Sequence, residues 1–432
     1  MKEERAMDVR IALLVVAAAL AASCGGPEPI TPLPPVTSAM PSASAMAVMS
    51  GASDTPAGVT AVPSSNAAPS FEDDLAFLAS HGAVHVLESK EGARVALSAK
   101  YQGRVMTSAV EPAGRSFGWI NREFIAAGKT GTQFDNYGGE DRFWLGPEGG
   151  QFGLYFPPGK PFTFGAWQVP AGLQEGAWEM SEATPSRAVF KRAITITNWS
   201  GTELTMDVER TVALVAAPAA ASVRAVAFET VNKITNRGKV AWKRETGLPS
   251  VWILAMFAPS DDARVVVPFE KGPPNAPIVN DAYFGKVPSE RLVVHEDKGF
   301  LVFTCDGKQR GKIGLGYARA KPTLGSYSAR ARLLTVVQYD KPKASVPYVN
   351  SMWEQQKSPY AGDVVNSYND GSPGPGKPPL GGFYEIETSS PAAELAPGQS
   401  LVHTHRTFHL VGDPAGLEPL SKKLLGVALA DL

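Results

Sequence analysis

The chain has 432 residues, 41 of them basic and 42 acidic, for a formal net charge of −1. That balance, with no basic stripe interleaved with aromatic residues, argues against nucleic acid as a partner. With 44% apolar residues and two cysteines, the chain must hold itself together by a core rather than by a disulfide framework.

The first ten residues carry Lys2, Arg5 and Arg10, and residues 11–22 (IALLVVAAALAA) are uncharged and apolar. As a helix this run is about 18 Å long, short of the about 30 Å hydrocarbon core, so residues 1–23 read as a signal peptide and the protein as exported. Leu20-Ala21-Ala22-Ser23-Cys24-Gly25 resembles a bacterial lipobox, which implies a lipid on Cys24 as the mature N-terminus. The alternative is an ordinary cleavage site with a chance cysteine. No aspartate follows Cys24, which leans towards the outer membrane, facing periplasm or surface. Residues 24–70 are mostly Pro, Ser, Ala and Gly, the composition of a disordered tether. With Cys24 acylated, Cys305 is the remaining thiol and no intramolecular disulfide forms.

From residue 71 to 432 the apolar residues recur mostly at period two between Gly- and Pro-rich turns. Strands are predicted at 94–97, 189–197, 204–214, 223–234, 251–257, 264–269, 292–304, 332–339 and 401–410, rich in Val, Ile, Thr and aromatics. Helices are predicted only at 71–81, 352–357 and 419–425. No repeat of a solenoid or propeller is present, and no helices alternate with the strands. The expectation is one all-β domain, an antiparallel sandwich of two large sheets with a few short helices.

Three polar, aromatic-rich segments interrupt this pattern. In DNYGGEDRFWLGPEGG (135–150), strand geometry places Arg142 and Trp144 on one face and Asp141 and Phe143 on the other, entered through Gly138-Gly139. An indole beside a guanidinium and carboxylates suits a sugar: the ring's C–H face stacks and its hydroxyls hydrogen-bond. Asn136, Glu140, Asp141, Arg142 and Trp144 are therefore candidate ligands, against the alternative of internal pairing of Arg142 with Glu140 or Glu148. Residues 348–371 form a long aromatic loop with Trp353, Glu354 and Asn366 as candidates. In GFYEIETSSP (382–391), Phe383, Glu385 and Glu387 share a face, and carboxylates so close favour protonation of one, giving a general acid or base. A solvated acidic face is the alternative. On the following strand His403, His405, Thr407 and His409 share a face, so His403 and His405 are weak metal candidates or part of a solvated edge. No motif for a cofactor, a phosphate loop or a catalytic serine is present.

The segments VALSAKYQGRVMTSAV, GGEDRFWLGPEGGQF, LPSVWILAMFAPSDDARVVVPF, NSYNDG and GFYEIETSSPAAELAPGQSLVHTHRTFHL resemble, in order, an uncharacterised bacterial lipoprotein family with the galactose mutarotase-like fold. The resemblance implies a β-supersandwich, and carbohydrate binding as the superfamily's usual activity. Aldose mutarotases carry a glutamate base in a late LETQxxP strand followed by a PGE turn. Glu387-Thr388-Ser389-Ser390-Pro391 and Pro397-Gly398-Gln399 are similar, so the resemblance implies Glu387 as base. Those enzymes take a histidine acid from the first half of the domain, and this chain has no histidine between His85 and His295. Arg142, Glu140 or Asp141 would have to substitute. Two readings follow, a membrane-tethered carbohydrate-binding protein or a carbohydrate-active epimerase or lyase using Glu387, with an envelope scaffold as a third.

Overall fold

Alternation of apolar and polar residues generates three antiparallel sheets in the computed structural model, which describes residues 69–432 apart from Thr132, Ala219 and Pro375. The predicted signal peptide, Cys24 and the tether up to residue 68 lie outside the described residues. Pro69 and Ser70, assigned to the tether by composition, belong to the fold. Ser70 forms a capping box with Asp73 at the start of the helix Phe71–His81 and bridges Arg115.

A ten-stranded sheet runs, in spatial order, through Leu292–His295, Phe300–Thr304, Arg264–Pro268, Thr323–Ser328, Leu333–Tyr339, Ser400–Val411, Arg224–Asn236, Glu203–Leu214, Arg187–Thr197 and Glu179–Ala183. Against it lies a five-stranded sheet ordered Gly311–Gly316, Asp363–Asn369, Tyr384–Ser389, Ser250–Phe257 and Arg142–Gly146. A small sheet of His85–Glu88, Arg94–Ser98 and Arg104–Ala109 flanks them. The core between the large sheets holds Val265, Val267, Phe303, Ile313, Val337 and Ile386. Val266, between two inward residues, points the other way and packs with Leu417, Leu420 and Leu425 of the C-terminal segment. Both faces of Arg264–Pro268 are thus covered, which is why VVV is buried throughout.

The structure departs from the sequence expectations in five elements. Residues 292–304 are two strands joined by a turn at Glu296–Gly299, where Gly299 takes a left-handed φ of 73°. Residues 352–357 are not helical, and the C-terminal helix starts earlier, at Pro414, so that Pro419 lies inside it. The expected loop 348–371 ends in a strand, Asp363–Asn369, in the middle of the five-stranded sheet. The histidine strand Ser400–Val411 is no solvated edge: it is paired on both sides, and His403, His405 and His409 are buried between the sheets.

That interlayer is polar where the histidines stand. Thr388 Oγ1 lies 2.8 Å from His403 Nε2 and 2.9 Å from His405 Nδ1. Burial pushes the two imidazoles down to about 3 and about 4, so both are neutral at ordinary pH. Among the described residues no group of three or more His, Cys, Asp or Glu side chains is placed to hold a metal ion.

Candidate functional site

The outer face of the five-stranded sheet carries the site, and its register explains which residues meet there. Trp144 lies opposite Trp252. The next row across the strands reads Arg142, Leu254, Glu387, Asn366 and Gly314, and the one after it Met256, Glu385, Tyr368 and Lys312. Alternate residues of the same strands, Phe143, Ile253, Ile386 and Ile313, turn inward to the core. The chain enters Arg142–Gly146 through Gly138 and Gly139, at φ of 79° and 112°. A Cβ on the first would collide with the Trp119 carbonyl and on the second with the Arg104 side chain, so only glycine fits either position.

Over this face lies a cavity of about 340 Å³. One end is walled by indoles: Trp144 packs edge-on to Trp252 at 5.7 Å, and Trp167 stacks near Trp353 at 6.4 Å. The other end is walled by Phe284, Tyr368 and Phe383, with ring centroids 5.9 and 5.8 Å apart along that series. Arg142 stands 4.0 Å above the Trp144 ring and donates from Nη2 to Glu385 Oε1 at 2.9 Å. Lys312 donates to Glu387 Oε2 at 2.9 Å, as does Trp252 Nε1 at 2.9 Å. Glu148 accepts from Trp167 Nε1 at 2.9 Å.

Burial dominates the electrostatics of this face. It raises Glu385 to about 8, only partly opposed by Arg142 and reinforced by Glu387. Burial likewise raises Glu148, against the pull of Lys312. For Lys312 burial acts downward, but Glu387, Glu148 and Glu385 together outweigh it and hold the ammonium above its usual range. The lysine therefore stays charged near neutral pH, and Glu385 takes up a proton more readily than an ordinary glutamate. Two nitrogens of Arg142, Nε and Nη1, and the side-chain oxygen of Asn136 are buried without partners.

Of the residues singled out in the sequence, Asn136, Arg142, Trp144, Trp353 and Glu385 line this cavity. Glu387 and Asn366 share a cross-strand row with Arg142; Glu387 is fully buried under the Lys312 and Trp252 contacts, and Asn366 donates to Tyr283 Oη at 3.1 Å. Glu140 and Asp141 are elsewhere. They face the ten-stranded sheet, where Glu140 pairs with His409 at 2.7 Å and Asp141 with Arg210 at 2.6 Å; Asp141 alternates with Arg142 and so points inward, whereas Glu140 precedes the strand and does not follow its alternation. Glu354 is exposed and outside the cavity. His403 and His405 belong to the interlayer. Sequence reading missed Trp252, Lys312, Arg310 and Trp167 as wall residues. Lys312 alone left a signal, a single charge in the otherwise uncharged buried strand GKIGLG.

Residues 69–432, the whole of the described fold, match a family of unknown function (DUF6786). The chain belongs to that family. No curated protein matches it. The DUF6786 fold is similar to solved galactose mutarotase-like structures. One, from Escherichia coli K12 and assigned as an aldose 1-epimerase, shares 11% identity at a TM-score of 0.46, over 76% of this chain and 99% of that one. A galactose mutarotase related enzyme from Lactobacillus acidophilus shares 11% at 0.43, over 77% and 98%. A galactose mutarotase-like protein from Lactobacillus casei ATCC 334 shares 11% at 0.40, over 76% and 100%.

Proposed function

We propose that the cavity on the five-stranded sheet binds a carbohydrate without transforming it. The observation that carries this reading is the pairing of indole walls with a buried, incompletely partnered guanidinium, Arg142. Sugar rings supply the complement, apolar C–H faces for Trp353 and Trp167 and hydroxyl oxygens for free N–H groups. Binding is favoured over catalysis because Glu387, the base implied by resemblance, is fully buried and outside the cavity lining, with its Oε2 held by Lys312 and Trp252. Calorimetric titration of the full-length chain with neutral and acidic mono- and oligosaccharides tests this. Saturable binding is expected, weakened roughly tenfold or more by Trp353→Ala, the scale of one lost aromatic stack. Trp353 is only partly buried but packs edge-on to Phe156 at 5.1 Å, so the unfolding temperature of the variant is measured beside its affinity. Absence of binding across the panel would leave the envelope scaffold as the better reading.

We also propose that the protein is exported and tethered to a membrane of the cell envelope through a lipid on Cys24. The support is compositional, the apolar run ending at a small-residue segment and a cysteine, followed by an uncharged Pro/Ser/Ala stretch. Metabolic labelling with a fatty acid should mark the wild-type chain and not Cys24→Ala; equal labelling, or none, would refute the anchor.

A further inference from the structure

The cavity reaches from one edge strand of its sheet to the other. Trp144 and Arg142 stand on one edge strand, while Lys312 and Arg310 stand on or beside the opposite one; the Lys312 ammonium reaches back to 4.9 Å from the Trp252 ring, so Arg310 and Phe284 mark the far end. Five strands at about 4.8 Å spacing separate the two edges by about 19 Å of backbone. Ring contacts divide the wall in the same way, with the indoles at one end and Phe284, Tyr368 and Phe383 at the other. A single pyranose ring, roughly two strand spacings across, does not bridge these ends.

The two ends differ in charge chemistry as well. Lys312 has Glu387 and Arg142 has Glu385. Arg310 stacks on Phe284, 3.7 Å from the ring centroid, its Nε is buried without a partner, and no carboxylate of the described residues pairs with it. In the cavity lining the unpartnered buried polar atoms are Arg142 Nε and Nη1, Arg310 Nε and Asn136 Oδ1, with Glu387 Oε1 unpartnered beneath it. A neutral sugar hydroxyl satisfies a donor, but a cationic fork without a counter-ion is matched best by an anionic oxygen pair.

We propose that the ligand is an acidic oligosaccharide of two or more rings, one stacked at the Trp167–Trp353 end and one presenting a carboxylate or sulfate to Arg310. This rests on the carbohydrate reading above and specifies its substrate class. Arg310 sets the preference for the anionic group, and Phe284 holds the guanidinium plane in place by stacking.

Titration of the full-length chain with galacturonate oligomers of one to three rings, a sulfated galactose trimer and the neutral galactose trimer tests the proposal. The acidic trimers should bind roughly tenfold tighter than the neutral one, the size of one charge-assisted hydrogen bond, and the single uronate should show no such gain. Whichever acidic trimer is preferred identifies carboxylate or sulfate as the group. In Arg310→Gln the ratio of acidic to neutral affinity should fall to about one, and in Arg310→Lys, which keeps charge without the fork, to an intermediate value. An acidic-to-neutral ratio near one in the wild type, or a wild-type ratio retained in Arg310→Gln, would overturn the proposal while leaving carbohydrate binding in place. Failure of every saccharide to bind would overturn both.

Discussion

Two buried arginines show the difference between a structural and a ligand-seeking guanidinium. Arg210 is saturated: Nε donates to the Gly103 carbonyl at 2.9 Å, Nη1 to Asn232 at 2.6 Å and Nη2 to Asp141 at 2.6 Å. Arg142 is equally buried but reaches one carboxylate, and two of its nitrogens lack partners. Such donors are costly to bury unless something completes them, which a bound ligand does. Lys312 and Glu387 are a third case, a charge pair with the lysine 8% and the glutamate 0% exposed. Removing one partner strands the other charge in a low-dielectric setting. Lys312→Met should therefore lower unfolding stability by about 3–5 kcal/mol, and adding Glu387→Gln should restore most of it. Chemical denaturation of the single and double variants measures this; a double variant as unstable as the single one would mean that the loss is packing around the lysine stem instead.

At the scale of elements, what the sequence made legible was the local alternation of each strand. That alternation correctly separated Glu385 and Glu387 from Tyr384, Ile386 and Thr388, and Arg142 and Trp144 from Asp141 and Phe143, since side chains in a strand alternate whatever its neighbours are. Which strands lie side by side was not legible. The site sheet joins Gly311–Gly316, Asp363–Asn369 and Tyr384–Ser389 to Ser250–Phe257 and Arg142–Gly146, pairings fixed by long-range register rather than by neighbouring residues. Lys312 could not be matched with Glu387, nor Trp252 with Trp144, without that register. The same gap explains the histidine strand. Its imidazoles suggested an exposed edge until pairing on both sides and the contact with Thr388 placed them in the interlayer. Asp363–Asn369 was hidden for a different reason: its polar sequence DVVNSYN faces other polar groups, with Asn366 on Tyr283 and Tyr368 on Asp370, so it lacked an apolar outer face.

For the whole molecule, the ten-stranded sheet supplies the stable backing and the smaller sheet displays the chemistry. Around Arg264–Pro268 and Leu333–Tyr339 the large sheet is covered on its far side by the C-terminal helix and on its near side by the five-stranded sheet. The small sheet's outer face is left to the aromatic cavity, where polar side chains stand beside Trp144 and Trp252 of the core cluster. This division places the recognition surface on a rigid platform, with Trp353 and Glu148 supplied by flanking loops. A crystal structure of the full-length chain with the oligosaccharide that titrates most tightly tests the central claim most directly. The account predicts a pyranose ring against Trp353 and Trp167 and a ligand oxygen within hydrogen-bonding distance of Arg142. A saccharide bound elsewhere, such as the separate groove beside Tyr317, Tyr348 and Asp363, with the indole end of the cavity uncovered, would contradict it.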